Sequence, residues 1–326
     1  MKNERNFPVT KMALRIGILL TLLFVIHPLS LAAEPIPAFH KAWSSGDDAS
    51  SLFLPKPKFA VQIPDKSIAV FCEVDCQFII LDEDWEVKRK FGRCGDGPGD
   101  LSKADAAFVV GDSLLVTQGF RYSVFDLQGN YVRTKDFPSP VLKPLKVGEW
   151  LIGVDYFQHG KIVALNLVSN EMLTLLEPEK TDSFQPLMVN SEAAFFCGRI
   201  SGNVYEIHPG QPVRKYDLGL SESEVVVSAS GSGQVRSWTS VVLTVWGDGE
   251  GGAFMCVTEE SQPYMDGDEA VYPNNFRHYK PGFEEFEMVQ VAPTDISLFS
   301  VTRLEGGELL VIDPFESQIS LLERNP

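Results

Sequence analysis

The feature that most constrains this chain is a strand ending that recurs at a nearly regular spacing. An apolar residue followed by an acid or amide closes a strand-like run at Leu81-Asp82, Phe125-Asp126, Leu165-Asn166, Tyr205-Glu206 and Ile312-Asp313. Successive acid or amide positions are separated by 44, 40, 40 and 107, and the last interval is just over two repeats. The spacing therefore predicts six units, one of them degenerate and centred near Val257-Thr258.

The segments within each unit have strand character. They are short, alternating or β-branched, and bounded by Gly, Pro, Asp and Asn, and no apolar pattern of helical period is sustained beyond about Phe53. The predicted strands are Ser67–Phe71, Gln77–Leu81, Ala107–Val110, Ser113–Thr117, Ser123–Leu127, Lys161–Leu167, Asn203–Ile207, Ala253–Val257, Ile296–Val301 and Glu308–Ile312. The body of the chain is therefore predicted to be all-β.

Units of this length with about four antiparallel strands are typical of propeller blades. One twisted four-stranded sheet cannot cover its own faces and must pack against neighbours in a ring. We expect a single six-bladed β-propeller over residues 57–326, preceded by an N-terminal tail at 34–56. A lectin-like pair of sandwiches would also be all-β, but it does not require a regular repeat of this length.

Residues 1–33 have the pattern of a secretory signal peptide. Four cations, at Lys2, Arg5, Lys11 and Arg15, precede an uncharged run from Ile16 to Ile26, and small residues follow at 30–33. This run is about half the roughly 20 residues that a membrane-spanning helix needs. We therefore predict a periplasmic or secreted protein that is not an integral membrane protein after cleavage, with Met1 or Met12 as the start.

The charge balance limits the partners. Lys plus Arg number 28 against 44 for Asp plus Glu, a formal net charge of -16, and the sequence contains no basic run. Such a surface repels a phosphate backbone, which excludes nucleic acid as the expected partner. A protein, a peptide or a glycan remains as the expected partner.

One segment resembles a known family. Residues 91–101 read Phe-Gly-Arg-Cys-Gly-Asp-Gly-Pro-Gly-Asp-Leu. This resembles the F-G-x-x-G-x-G-P-G-[DE]-[FL] segment of exported bacterial six-bladed propellers related to the NHL repeat (NHL/TolB-like). The resemblance implies a connection between the last strand of one blade and the first strand of the next. Asp96 and Asp100 are candidates for holding a cation there, and the glycine-rich backbone for an anion; a purely structural turn is the alternative.

Five cysteines are present. Cys72 and Cys76 flank Glu73-Val74-Asp75, so a hairpin loop at these three residues would place the two thiols within reach of a disulfide. In one continuous strand they would lie about 13 Å apart and could not join. Cys197 and Cys256 lie in apolar strands and are expected in the core. No cysteine and histidine spacing indicates zinc.

The fifth unit contains the candidate binding aromatics. Trp238, Trp246, Tyr264 and Tyr272 belong to this unit, which also has a long insertion between Glu260 and Gly282. Long loops on a rigid ring often carry binding function, whereas packing between blades is the alternative. Calcium is considered at the acidic loops 247–252 and 266–269, with acidic turns as the simpler interpretation; no other cofactor is predicted.

No catalytic constellation is apparent. Gly111-Asp112-Ser113-Leu114 matches the tetrapeptide of a serine esterase family, but the Asp-x-x-His of that family is missing and a hairpin fits better. We therefore expect an exported propeller that acts as a binding or scaffold module for a protein, peptide or glycan. The alternative is a metal-dependent lyase or lactonase, because related propeller enzymes gather metal ligands around the central channel.

Overall fold

The structure is a computed structural model that describes residues 39–45, 52–155, 160–177, 184–187, 192–198, 201–220, 242–257, 264–266, 269–271, 275–291, 298, 300–313 and 317–325. The predicted signal peptide lies outside these residues. No helix in the described part of the chain is long and apolar enough to cross a membrane.

The described residues form 26 β-strands. The first is β1 (Phe39–Ser44). Blade 1 contains β2 (Pro57–Gln62), β3 (Ile68–Cys72), β4 (Gln77–Leu81) and β5 (Val87–Phe91). Blade 2 contains β6 (Ala106–Val110), β7 (Ser113–Thr117), β8 (Arg121–Asp126) and β9 (Tyr131–Asp136). Blade 3 contains β10 (Leu142–Val147), β11 (Trp150–Asp155), β12 (Lys161–Asn166) and β13 (Met172–Leu176).

The second half of the ring is built in the same way. Blade 4 contains β14 (Phe184–Leu187), β15 (Ala194–Gly198), β16 (Asn203–Ile207) and β17 (Arg214–Asp217). Blade 5 contains β18 (Val242–Gly247), β19 (Ala253–Val257), β22 (Asn275–Tyr279) and β23 (Phe286–Gln290), and between β19 and β22 the chain forms a small hairpin, β20 (Tyr264–Asp266) and β21 (Glu269–Val271). Blade 6 contains β24 (Ser300–Arg303), β25 (Leu309–Asp313), β26 (Gln318–Arg324) and β1.

These six sheets, each of four antiparallel strands, confirm the predicted all-β six-bladed propeller. The first strand of each blade is innermost: β2 contacts β6, β6 contacts β10, and so on through β14, β18 and β24 back to β2. Four predicted strands, β4, β7, β16 and β19, have the predicted bounds. The segment Gly111-Asp112 forms the tight turn between β6 and β7, as expected for a hairpin.

The core lies between blades. In β3 and β4 successive side chains alternate between two apolar clusters: Phe71 and Phe78 pack toward blade 2, and Val70 and Ile79 pack toward blade 6. Both faces of each central strand are therefore buried, since a neighbouring blade covers each face. This explains why β3 reads as a continuous apolar run with five buried residues.

The ring closes through β1, which pairs antiparallel with β26 as the outermost strand of blade 6. Phe39 packs edge-on to Phe254 of blade 5, and Trp43 stacks on Trp85 of blade 1 with ring centroids 4.3 Å apart. The prediction that residues 34–56 form a tail is therefore wrong for Phe39–Ser44. The repeat did not predict this strand, because the fourth strand of blade 6 comes from the N-terminal part of the chain and the other three come from the C-terminal part.

The repeated acid or amide caps turns in three blades. The side-chain oxygens of Asp82, Asp126 and Asn166 accept hydrogen bonds from backbone N–H groups two to four residues ahead. These Asx turns join the third and fourth strands. In blade 4 the third strand ends one residue after Glu206, whose carboxylate bonds Tyr216 and His208 instead.

The last member of the repeat was misassigned. Asp313 ends β25, the second strand of blade 6, and not a third strand as in blades 1 to 3. The long final interval therefore runs from Glu206, in the third strand of its blade, to Asp313, in the second strand of its blade. The number of blades was nevertheless predicted correctly.

The closure of the ring through β1 leads to a prediction about stability. Phe39 is 4% exposed and contributes to the cluster between blades 5 and 6. We expect Phe39→Ala to lower the free energy of unfolding by about 3–5 kcal/mol, the usual cost of removing a buried phenylalanine ring. Urea denaturation followed by tryptophan fluorescence measures it.

His40→Ala is the matched control, because His40 is the next residue of β1 and is exposed. Its effect should stay within about 0.5 kcal/mol. A Phe39→Ala variant as stable as the control would show that β1 does not hold the ring closed.

Candidate functional site

The two ends of the ring carry different loops. Turns between first and second strands, and between third and fourth strands, lie at one end because neighbouring strands are antiparallel. Links between second and third strands, and connections from one blade to the next, lie at the other end. We call this second end the connection face; it includes the turns at 73–76 and 118–120 and the connection at 92–105.

The glycine-rich connection between blades 1 and 2 is tied to the connection face by a disulfide. Cys76 in the turn after β3 is bonded to Cys94, with Cα atoms 4.9 Å apart. The predicted Cys72–Cys76 bridge is therefore wrong. Cys94 was missed because its partner lies 18 residues away and only the blade geometry brings the two together.

Cys72 cannot replace Cys94 in this bridge. It lies in β3 opposite Gln77 and packs toward blade 6, whereas Cys76 packs toward blade 2. The two side chains belong to clusters on opposite faces of the sheet. Burial is the main cause that raises the pKa of the Cys72 thiol to about 12, so it stays protonated. Cys197 and Cys256 are buried and free of disulfides, as expected for core residues.

Asp100 braces the same connection from within. Arg93 Nε donates to Asp100 Oδ1 at 2.6 Å, and the Gly97 N–H donates to Oδ2 at 2.7 Å. The Arg93 hydrogen bond, followed by the Gly97 N–H, holds the Asp100 pKa below its usual value of 3.8. Gly95 has φ +147, and a Cβ there would lie 2.2 Å from Asp100 Oδ2. The carboxylate of Asp100 is therefore bound by the loop itself, through the Arg93 side chain and the Gly97 N–H.

Further hydrogen bonds hold the connection, some within it and one from blade 2. Ser102 Oγ donates to the Gly95 carbonyl at 2.7 Å and lies 2.5 Å from the Gly95 nitrogen. Arg121 Nη1 donates to the Asp96 carbonyl at 2.9 Å. The Asp96 side chain is exposed, unlike that of Asp100, which is 6% exposed. Of the two predicted ligand-binding aspartates, Asp96 alone presents its carboxylate to solvent.

A second polar cluster lies beside the connection, at the start of β2, which is the innermost strand of blade 1. Lys58 Nζ donates to the Ala104 carbonyl at 2.8 Å and lies 3.8 Å from Glu73 Oε1 and 3.9 Å from Asp105 Oδ1. Burial is the main cause that raises the Asp105 pKa, whereas hydrogen bonding from Lys56 lowers the Glu73 pKa. Sequence reasoning missed this cluster, because its members come from blade 1 and from the connection and only the fold brings them together.

Two exposed apolar side chains lie on the connection face. Val74, in the turn after β3, is 62% exposed, and its carbonyl lies 3.7 Å from Cys94 Sγ. Phe53 is 73% exposed and precedes β2, with the neighbouring Leu54 fully buried as its anchor. Exposed apolar residues beside a rigid polar loop are a common composition for a recognition surface.

Of the four predicted aromatic residues, only the side chain of Trp246 lies in the described part of the chain. Trp246 is 5% exposed between blades 5 and 6, where it packs against Phe254 and Phe276. Its position supports the alternative of blade packing. Tyr264 lies in β20, on the link between β19 and β22. Trp238 and Tyr272 lie outside the described residues.

In the acidic loop 247–252, the carboxylate of Asp248 stabilises the loop itself. Asp248 Oδ1 accepts the N–H groups of Glu250 and Gly252, and Oδ2 lies 2.9 Å from His278 Nε2. Burial would raise the Asp248 pKa, but the hydrogen bonds, led by the one from His278, lower it on balance. In the described part of the chain no three His, Cys, Asp or Glu side chains are placed to hold a metal ion.

Solved structures with the same fold have very different sequences. Streptogramin B lyase aligns over 84% of this chain and 95% of its own, at 10% identity and a TM-score of 0.55. A DUF4221 family member from Bacteroides vulgatus aligns over 84% and 93%, at 10% identity and a TM-score of 0.56. The extracellular domain of a one-component system from Bacteroides thetaiotaomicron aligns over 84% and 40%, at 11% identity and a TM-score of 0.50.

No protein-family model matches this sequence, and a search of curated proteins finds no match. At these identities the structural similarity shows the fold alone. The chain has the fold of a six-bladed β-propeller, the fold that the resemblance implied.

The disulfide assignment has a direct chemical test. Unfolding without a reductant should expose three reactive thiols, those of Cys72, Cys197 and Cys256, because only the other two cysteines are bonded. Proteolysis and mass spectrometry should then find the peptides of Cys76 and Cys94 linked. Recovery of a peptide bridged between Cys72 and Cys76 would contradict the structure.

The Asp100 brace predicts a pH dependence. The folded pKa lies below 3.8, so the ionised carboxylate adds stability above that value and loses it as the pH falls through the folded pKa. Asp100→Asn should therefore destabilise the protein at pH 7. The difference from the wild type should shrink below about pH 4. Urea denaturation across this range measures it, and a difference independent of pH would show that ionised Asp100 does not brace the loop.

Proposed function

We propose that this protein is exported and serves as a binding module for a protein, peptide or glycan partner, which it holds on the connection face. The observation that carries the proposal is the bracing of the 92–105 connection by the Cys76–Cys94 disulfide, the Arg93–Asp100 ion pair and the Arg121 hydrogen bond. A loop fixed before binding loses little conformational entropy when a partner docks.

The chemistry of the surface suits a macromolecular partner. The Arg93 side chain is 74% exposed although it bonds Asp100, and it therefore offers free guanidinium N–H donors. Asp96 offers a carboxylate, while Val74 and Phe53 offer apolar area. This mixture of a small apolar surface with charged groups resembles the composition of non-obligate protein interfaces.

Export is supported by three observations. The N-terminal segment 1–33 has the pattern of a signal peptide, and the Cys76–Cys94 disulfide is of a kind that persists in oxidising compartments. The extracellular propeller domain from B. thetaiotaomicron is a structural neighbour of this chain. We therefore propose a periplasmic or secreted location.

The alternative, a metal-dependent lyase or lactonase, gains no specific support from the described residues. Asp248, Glu206 and Asp100 each have their carboxylates occupied by neighbouring donors. Streptogramin B lyase shares the fold at 10% identity, a level at which no activity transfers.

A pair of matched variants tests the proposed face. Val74→Asp places a charge on the connection face, and Val168→Asp places one at the opposite end, where Val168 is 72% exposed. Immobilised protein is exposed to proteins of the envelope and the culture medium, and separately to a glycan array. The wild type and Val168→Asp should retain the same partner, whereas Val74→Asp should bind it at least about tenfold more weakly because a charge is buried unpaired.

Failure of the wild type to retain any partner in either assay would contradict the binding role. Equal retention by both variants would place the binding surface elsewhere on the ring.

A further inference from the structure

Among the described residues, the outermost strand of each blade has no neighbouring strand at one of its edges. These six strands are β5, β9, β13, β17, β23 and β1. Natural proteins protect such edges with charged residues, especially lysine, because an open edge invites pairing with another chain. β5, β9, β17 and β1 each contain Lys or Arg, whereas β13 and β23 contain neither.

β23 in blade 5 differs from β13 in its exposed apolar surface. Phe286 is 44% exposed and Met288 is 49% exposed. In β13 the large apolar side chains are half-buried and the exposed residue is Thr174. β23 therefore combines an edge without cations with two exposed apolar side chains on one face of the sheet.

The backbone groups of these two residues face the open edge of β23. The Lys280 N–H donates to the Glu285 carbonyl, which makes this a hydrogen-bonded pair in the register of β22 and β23. Such pairs alternate in an antiparallel ladder, so Phe286 and Met288 occupy non-hydrogen-bonded positions. Their N–H and C=O groups point away from β22, toward the open edge.

The Phe286 ring is held in place. The guanidinium carbon of Arg277 lies 4.6 Å from its centroid, and the Tyr279 ring lies 5.2 Å away. Arg277 is 9% exposed and Tyr279 is 1% exposed, so both supports are fixed in the blade. The exposed ring is therefore an ordered contact surface, which lowers the entropic cost of docking.

The charge around the edge is negative. Glu284, Glu285 and Glu287 are exposed, and Lys280 Nζ bonds Glu287 Oε1 at 2.8 Å. A second copy of β23 laid alongside would bring the same carboxylates together. An extended segment with Lys or Arg side chains would instead meet opposite charge, while its backbone completes the ladder.

We propose that β23 is a docking edge at which a partner protein adds a basic, extended segment as a fifth strand of blade 5. The backbone groups of Phe286 and Met288 pair with the segment, their side chains contact its apolar residues, and the surrounding glutamates select its cations. This rim site is separate from the connection face and does not depend on the function proposed for that face.

The test uses a short fluorescent peptide in which lysine and valine alternate, and a matched peptide in which glutamate replaces lysine. Fluorescence anisotropy with the full-length mature protein should show saturable binding of the lysine peptide, weakened by added salt, and none of the glutamate peptide. Absence of saturable binding to the lysine peptide would overturn the proposal.

Two variants of Met288 separate strand addition from surface charge attraction. Met288→Pro removes an N–H that points outward, so the ladder to β22 is kept while pairing at the edge is blocked. Met288→Lys adds a charge of the same sign as the peptide. Each should weaken binding by at least about tenfold. Circular dichroism and thermal unfolding check that both variants fold.

Val132→Lys is the matched control. Val132 is 55% exposed on the outer strand β9 of blade 2, so its substitution adds the same charge at a different edge. It should bind the lysine peptide as the wild type does. A folded Met288→Pro variant with wild-type affinity, or an equal loss in Val132→Lys, would show that the peptide does not pair with β23.

Discussion

Each sheet of this protein has two apolar faces that neighbouring sheets must cover, and this requirement determines the structure. β3 and β4 send alternate side chains into clusters shared with blade 2 on one side and blade 6 on the other. A single four-stranded sheet of this kind has no free-standing folded form, because both of its apolar faces would remain in water. The ring therefore depends on its closure, which the β1–β26 pairing provides by joining the two ends of the described chain.

A rigid ring gives short loops a fixed position, and this chain adds braces to the longer connection between blades 1 and 2. The connection at 92–105 is held by a covalent bond to the turn after β3, by a buried carboxylate and by an arginine of β8. The braced loop on the connection face contrasts with the outer edge of blade 5. There β23 leaves hydrogen-bonding groups and apolar side chains open to solvent. The two surfaces thus suit different modes of recognition, one by a preformed loop and one by strand pairing.

Local patterns predicted most of the fold, because strands, turns and capping residues are encoded within a few positions. Asp82 and Asp126 marked turns correctly, and β7 and β16 were delimited to the residue. Features that join distant residues were missed. The tail at 34–56 proved to contain β1, and Cys76 proved to pair with Cys94, since both contacts exist only once the blades are stacked. The candidate site was predicted in part: the glycine-rich connection was identified, but Trp246 lies in the core.

Native-state hydrogen exchange of β1 tests the closed ring most directly. The β1 amides that pair with β26 should exchange only when the whole propeller unfolds, at the same free energy as the central strands β3 and β4. Exchange of these amides through a much smaller free energy, while β3 and β4 stay protected, would show that β1 is detached in solution and that the ring does not need it.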